Sequence, residues 1–133
     1  MPDQVQVGKN VVEGELINQL IGQVFGNQDN ITALAGGGLS SKTPVLKAGA
    51  CRVATVATGG DSVALPPAIP NPKGVSLSTI IVINDTATSM NVFPQSTDQV
   101  NDGGAGAALA QGGNSRALYV CPSKGLWFRI LSA

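Results

Sequence analysis

Few residues in this sequence could carry out covalent or acid–base chemistry. None of its 133 residues is a histidine, which removes the commonest general base and the commonest metal ligand. A serine activated by a lysine needs no histidine, but Ser40, Ser41 and Lys42 lie in a glycine-rich stretch that predicts a loop without fixed geometry. We therefore expect no catalytic residues, and we interpret the chain as a protein that is not an enzyme.

The cysteines and acidic residues do not have the spacing of metal or redox motifs. Cys51 and Cys121 are 70 positions apart, so we interpret both as small buried apolar side chains. A disulfide between them would need neighbouring strands. Asp98 and Asp102 flank Asn101 and carry oxygen atoms that calcium could use, but aspartate in such positions more often forms a turn. The sequence predicts no bound metal and no cofactor.

Two glycine-rich stretches resemble nucleotide-binding loops only superficially. Residues 36–42 lack the Gly-Lys-Ser/Thr ending of a phosphate-binding loop, and residues 104–106 lack the third glycine of a dinucleotide fingerprint. Tyr119 and Trp127 have arginines nearby in sequence, as in single-strand binders, but the formal net charge is zero. We expect neither nucleic acid nor a membrane as a partner, and we interpret both aromatics as core or interface residues.

The small share of charged residues predicts an assembled protein. Charged residues make up 12% of the chain, against a usual share of about 25%, and a small monomer with few charges and no net charge tends to associate. The alternative is a monomer whose surface is covered by uncharged polar residues. The first residues lack a basic region followed by an apolar run, so we expect no secretory signal.

Residues 10–25 form the one helical candidate, because their apolar residues recur at helical period. Asn10 and Glu13 are spaced as in a capping box. The alternative is two short strands, since Gly14 and Gly22 each weaken a helix by roughly 1 kcal/mol relative to alanine. We predict that the apolar stripe docks or self-associates, or else packs on its own domain. The candidate interface residues of this N-terminal stripe are Val12, Leu16, Leu20 and Val24.

Residues 26–50 are dominated by small and polar residues and contain a run of three glycines. We predict an extended arm or linker, in which Ile31 and Leu34 are further candidate interface residues that anchor it to an apolar surface. The chain then divides into an N-terminal arm or helix with its linker, residues 1–45, and a β domain, residues 46–133.

The remainder of the chain predicts short strands separated by Gly, Pro, Asn and Asp turns. About seven or eight strands at this spacing predict a mainly β fold, either an antiparallel β-sandwich or a jelly-roll-like barrel. The run Ile80–Ile83 predicts a central strand that is buried on both faces. The strands are expected near residues 52–57, 62–65, 76–84, 89–93, 99–101, 116–121 and 126–131.

The order and spacing of several short motifs resemble a known group of proteins. The motifs include Asn30–Gly38, Asp61–Pro67, Met90–Pro94 and Gly125–Phe128. Across residues 30–133 they resemble small structural virion proteins of tailed bacteriophages, of the capsid cement or decoration type.

This resemblance implies a role on the exterior of a phage capsid and transfers no catalytic residues. It implies a comparable β fold, a homotrimer that matches three-fold positions on an icosahedral shell, and the major capsid protein as partner. We expect a protein that is assembled in the host cytoplasm onto the capsid surface, where it bridges neighbouring subunits. The alternative is a tail or head-fibre module that binds a host surface or other virion proteins.

Overall fold

A computed structural model describes residues 26–70 and 78–131, and within them the chain forms nine β-strands and no helix. The helix predicted for residues 10–25 lies outside the described residues. The strands are β1 Asn27–Thr32, β2 Ala50–Thr55, β3 Ser62–Ala64, β4 Thr79–Asn84, β5 Met90–Phe93, β6 Gln99–Val100, β7 Leu109–Gln111, β8 Ser115–Ser123 and β9 Leu126–Leu131.

These strands form two sheets around one hydrophobic core. The larger sheet has the order β1-β2-β4-β8-β9-β6, and the smaller has the order β3-β5-β7. The predicted mainly β fold is confirmed. The orientation of the strands is mixed rather than uniformly antiparallel, because the described pairs β1–β2, β2–β4, β3–β5 and β6–β9 are parallel.

Two of the parallel pairs form where the chain crosses to the other sheet and returns. From β2 to β8, successive strands belong in turn to the larger and the smaller sheet. In β2–β4 and β3–β5 the one intervening strand lies in the other sheet, and the returning strand runs parallel to the first. The pair β5–β7 has β6 between its strands in the same way but is antiparallel. A tight hairpin cannot make a parallel pair. Isolated bridges of Leu34 to Ser62 and of Val45 to Ala64 carry the β1–β2 connection past β3 as well.

Residues 26–45, predicted as arm or linker, are packed against the β domain. Strand β1 pairs in parallel with β2, and its Ile31 lies in the core with 6% of its surface exposed. The composition conceals this strand because most of its residues are polar and exposed, and Asn30 interrupts it with a left-handed backbone, φ 56°. The packed domain therefore includes residue 27, well before the boundary predicted at residue 45.

Strand β4 is buried on one face only. Ile80 and Val82 are fully buried, whereas Ile81 is 45% exposed. The prediction of a strand buried on both faces is therefore wrong. The branched residues of Ile80–Ile83 suit any strand, and the smaller sheet covers only one side of the larger one.

A buried polar bridge joins the two sheets at Gln111. Its Nε2 donates a hydrogen bond to the carbonyl oxygen of Val82 at 3.0 Å, and its Oε1 accepts one from the Tyr119 hydroxyl at 3.0 Å. Gln111 belongs to β7 of the smaller sheet, while Val82 and Tyr119 belong to the larger sheet. Because an unpaired buried amide is costly, this bridge disfavours any arrangement in which the sheets slide past each other.

A buried carboxylate holds three points of the chain together beside β3. Asp61 is 2% exposed, and its two oxygens accept hydrogen bonds from the backbone N–H groups of Gly36 at 3.2 Å, Ala57 at 3.1 Å and Thr58 at 3.0 Å. Hydrogen bonds to an ionised acceptor are stronger than those between neutral groups. The connection from β1 to β2 is thus tied to the turn between β2 and β3.

We predict that Gly113→Ala destabilises the protein by about 1–3 kcal/mol, because the loop after β4 passes too close for a side chain. A Cβ at Gly113 would overlap the carbonyl carbon and oxygen of Ala87. Gly112 is the matched control, since a Cβ there meets no atom within 4 Å. Chemical unfolding should separate the two variants. Equal free energies of unfolding for both would contradict the close approach.

We also predict an alkaline loss of stability that depends on Tyr119. Burial raises the pKa of its hydroxyl from 10.0 to about 12, partly opposed by the nearby Arg129. The folded pKa is above the unfolded one, so this stability is complete below pH 10 and is lost as the pH rises towards 12. The loss amounts to about 2–3 kcal/mol.

The test compares the wild type with Tyr119→Phe, using fluorescence of the single tryptophan, Trp127, to follow unfolding. The variant should be about 1 kcal/mol less stable at neutral pH, because Gln111 loses a donor, and its stability should fall less between pH 10 and 12. Parallel pH curves for the two proteins would refute the assignment.

Candidate functional site

The predicted interface residues fall partly outside the described chain. Ile31 packs inside its own domain, so it anchors β1 and offers almost no surface to a partner. Leu34 is half-buried and pairs through its backbone with Ser62. The residues of the N-terminal stripe, namely Val12, Leu16, Leu20 and Val24, lie outside the described residues.

Two of the three side chains considered for calcium, Asp98 and Asn101, already have backbone partners. Asp98 Oδ2 accepts a hydrogen bond from the N–H of Ala68 at 2.8 Å, and Asn101 Oδ1 accepts one from the N–H of Arg129 at 2.9 Å. The interpretation of Asp98 as a residue that organises a loop is confirmed. In residues 26–70 and 78–131, no group of three or more Cys, Asp or Glu side chains could hold a metal ion.

The potential nucleophiles do not form a reactive arrangement with one another. Cys51 and Cys121 are both free and buried, and β4 separates their strands. Burial raises the pKa of each thiol, which keeps both protonated and weakly nucleophilic. Their interpretation as buried apolar side chains is confirmed. Ser40 Oγ accepts a hydrogen bond from the backbone N–H of Lys42 at 3.2 Å, in an exposed turn.

The outer face of the larger sheet carries a contiguous apolar surface. Ile81, Leu118 and Ile130 stand side by side on β4, β8 and β9 because they are register partners. Ile81 is 45% exposed and Ile130 is 64% exposed, while Leu118 is half-buried. The next rows add Val120 and Phe128 on one side and Ile83 on the other, where the register partner of Ile83 is the exposed Arg116. We call this surface the apolar face; it comprises Ile81, Ile83, Leu118, Val120, Phe128 and Ile130.

Strict alternation along the strands produces this surface. Ile80, Tyr119 and Trp127 have no exposed surface and point towards the smaller sheet, so their sequence neighbours point the opposite way. A shallow groove here is lined by residues of β4, β8 and β9, which include Ile81, Leu118, Ile130 and the charged Arg116. Contiguous apolar patches on soluble proteins mark interaction sites.

A charged strip borders the apolar face on its β1–β2 side. Arg52 Nη1 lies 2.9 Å from Asp29 Oδ1, and Arg52 Nη2 lies 2.8 Å from Asp85 Oδ2. The Arg52 hydrogen bond lowers the pKa of the Asp29 carboxyl, and its two acidic partners raise the pKa of Arg52. All three side chains are substantially exposed. The strip is therefore a solvated polar edge beside an apolar surface.

Sequence reasoning missed the apolar face because it assigned Ile81 and Ile83 to the core. A signal was present in the last strand, where Phe128 and Ile130 alternate with Trp127. Alternate residues of that strand point to opposite faces of the sheet. The large indole of Trp127 indicates that Trp127 and the residues in step with it face the core.

No helix in the described residues is long and apolar enough to cross a membrane. No protein-family model matches the chain, and no curated protein or solved structure is significantly similar to it. Function is therefore inferred from the apolar face and its surroundings.

We predict that two adjacent isoleucines differ sharply in their contribution to folding. Ile80→Ala should cost about 3–4 kcal/mol because it leaves a cavity in the core. Ile81→Ala should cost less than about 1 kcal/mol, since its side chain projects from the outer face. Urea unfolding of both variants measures the difference. Similar losses would mean that β4 is covered on both sides within the folded domain.

Proposed function

We propose that this protein is a structural component of a bacteriophage virion, which decorates the capsid and stabilises it by bridging neighbouring capsid subunits. The observation that carries the proposal is the apolar face, a surface suited to binding another macromolecule. Its residues Ile81 and Ile130 are exposed on a sheet whose opposite face is fully packed. The resemblance of residues 30–133 to phage decoration proteins supports the same role.

A bridging protein has to be rigid and has to tolerate close neighbours. Rigidity is provided here by the Gln111 bridge between the sheets and by the Asp61 hydrogen bonds. Close packing of copies is favoured by a zero net charge and a charged share of 12%, because identical copies then repel one another only weakly. Many identical weak contacts across a shell add up through avidity.

We further propose that the protein acts as a homotrimer on the outer capsid surface, with the major capsid protein as its partner. A three-fold assembly matches the three-fold positions of an icosahedral shell. In this arrangement each copy contacts both its neighbours in the trimer and the shell beneath. Removal of the protein would weaken the shell against internal pressure.

Virions of the phage that encodes this chain provide the test, by immunogold labelling with an antibody to the purified protein. Label distributed over the heads is the expected result. Label confined to tails or fibres would replace the proposal with a tail or head-fibre module. If mass spectrometry of purified particles does not detect the protein, the virion role itself is wrong.

A matched pair of variants tests whether the apolar face contributes. Ile81→Lys should lower the amount of protein retained on particles by roughly tenfold or more, because burying an isoleucine contributes about 1.5–3 kcal/mol. Ile69→Lys is the control, since Ile69 has the same 45% exposure and lies outside the apolar face. Equal retention of the two variants would exclude the apolar face from the interaction.

A further inference from the structure

We propose that two copies of the free protein pack their apolar faces against each other. The twofold axis of this dimer lies between the two larger sheets and runs across their strands. The contact buries exposed apolar side chains, since Ile81 is 45% exposed, Phe128 39% and Ile130 64%. Apolar sheet faces bury each other by packing about 10 Å apart. The larger sheet packs on the smaller one around the core, and a second copy covers its other side.

The outward side chains of the larger sheet form three rows that cross its strands. The central row is apolar and comprises Ala50, Ile81, Leu118 and Ile130, which are register partners on β2, β4, β8 and β9. The row on one side of it is uncharged and comprises Thr79, Val120 and Phe128. The row on the other side carries the charges and comprises Arg52, Ile83 and Arg116. Of these three rows, only the last is charged.

This distribution of charge decides how two copies can face each other. A twofold axis parallel to the strands and over β8 would stack the two charged rows, with Arg116 of one copy opposite Arg116 of the other. Like charges in such positions oppose association. An axis along the central row instead places each charged row over the uncharged row of the second copy. The Arg116 guanidinium then reaches the exposed ring of Phe128, which is a favourable contact for a cation.

The central row matches itself in this arrangement. Because the axis runs along the row, Ile81, Leu118 and Ile130 each lie opposite the same residue of the second copy. The self-match is what makes a second copy the occupant. The formal net charge of zero also favours it, since neutral copies repel one another little and tend to associate.

The ion pairs of Arg52 stay in water in this arrangement. Arg52 and its partners Asp29 and Asp85 lie at the β1–β2 end of the charged row. Strands β1 and β2 begin at Asn27 and Ala50, which are register partners in the central row. The charged strip of one copy therefore lies beyond the first residues of these two strands in the other. The contact buries apolar surface without desolvating the ion pairs.

The size of the contact predicts a weak and reversible dimer. Three strands about 4.8 Å apart and three rows about 6.8 Å apart give a footprint of roughly 300 Å² on each copy. A stable interface of standard size buries about 800 Å² on each partner. We therefore expect a dissociation constant in the high micromolar range.

This inference rests on the apolar face and not on the proposed capsid role. The face cannot contact a second copy and a capsid shell at the same time, so the dimer is a form of the free protein. Its dissociation makes the face accessible to another macromolecule. A weak contact suits this exchange, since little binding free energy is lost when the two copies separate.

Cysteine crosslinking of the full-length chain tests both the contact and its axis. Ile81→Cys and Ile130→Cys should each give a disulfide-linked dimer alone, because each residue faces its own counterpart. Ile69→Cys is the control, since Ile69 is as exposed as Ile81 and lies outside the face. The native thiols are buried and compete little. Crosslinks that form only when the Ile81→Cys and Ile130→Cys chains are mixed would place the axis along the strands and overturn the proposed dimer.

Sedimentation equilibrium up to millimolar concentration provides a second readout. The wild type should show a reversible monomer–dimer equilibrium, and Ile130→Lys should raise its dissociation constant more than tenfold. Ile69→Lys should leave the equilibrium unchanged. A wild type that stays monomeric at every concentration, a trimer in place of the dimer, or a dimer that Ile130→Lys does not weaken would overturn the inference.

Thiol labelling distinguishes a second copy from a segment of the same chain as the occupant. In dilute solution Ile81→Cys should react with a small maleimide as fast as Ile69→Cys, and its rate should fall several-fold at concentrations that favour the dimer. Protection that persists on dilution would mean that the chain covers its own face, and would overturn the proposal. Because these measurements need no capsid, failure of the dimer is distinguishable from failure of the virion role.

Discussion

The side-chain amide of Gln111 sets the relation between the two sheets. It donates a hydrogen bond to the carbonyl oxygen of Val82 on β4 and accepts one from the hydroxyl of Tyr119 on β8, so it favours the register in which Tyr119 faces inward together with the buried side chains of Ile80 and Val82. A strand that slips by one residue exchanges its faces. Ile81 and Leu118, each one position from these contacts, are therefore directed outward. The apolar face therefore lies opposite side chains whose inward direction is stabilised both by this buried polar contact and by the apolar core.

Buried carboxylates explain how a chain with few charges organises its loops. Asp61 and Asp98 are both largely buried, and each accepts hydrogen bonds from backbone N–H groups rather than pairing with a cation. Such carboxylates stabilise loops without contributing to a surface ion-pair network. Among the exposed acidic residues that the structure describes, Asp29 and Asp85 lie around Arg52 at the edge of the apolar face. The centre of the outer sheet face is left apolar.

Sequence patterns predicted the strands better than their arrangement. Short runs between turn residues located β2 to β6, β8 and β9 to within a few positions, because period-2 alternation and turn chemistry are local signals. Strand β1 was missed because it lies at the edge of the sheet and most of its residues are polar and exposed. Only its Ile31 is buried in the core. The exposure of Ile81 was missed because four branched residues in a row look alike whether one face or both are covered. Parallel pairing was not predictable, since crossings between the sheets produce both parallel and antiparallel pairs and leave no local pattern in the sequence.

Those crossings also govern the order in which the molecule can acquire its structure. Strand β4 pairs with β2 on one side and, on the other, with β8, which is synthesised later. Strand β6 pairs with β9, which is also synthesised later. In a chain still attached to the ribosome and lacking residues from 115 onward, β6 is unpaired and the larger sheet is split. Contacts between residues far apart in sequence form slowly, because closing the intervening loop costs conformational entropy before any contact stabilises it. Folding of this domain therefore waits until residues 115–131 have been synthesised, because the β8–β9 hairpin joins β4 on one side to β6 on the other.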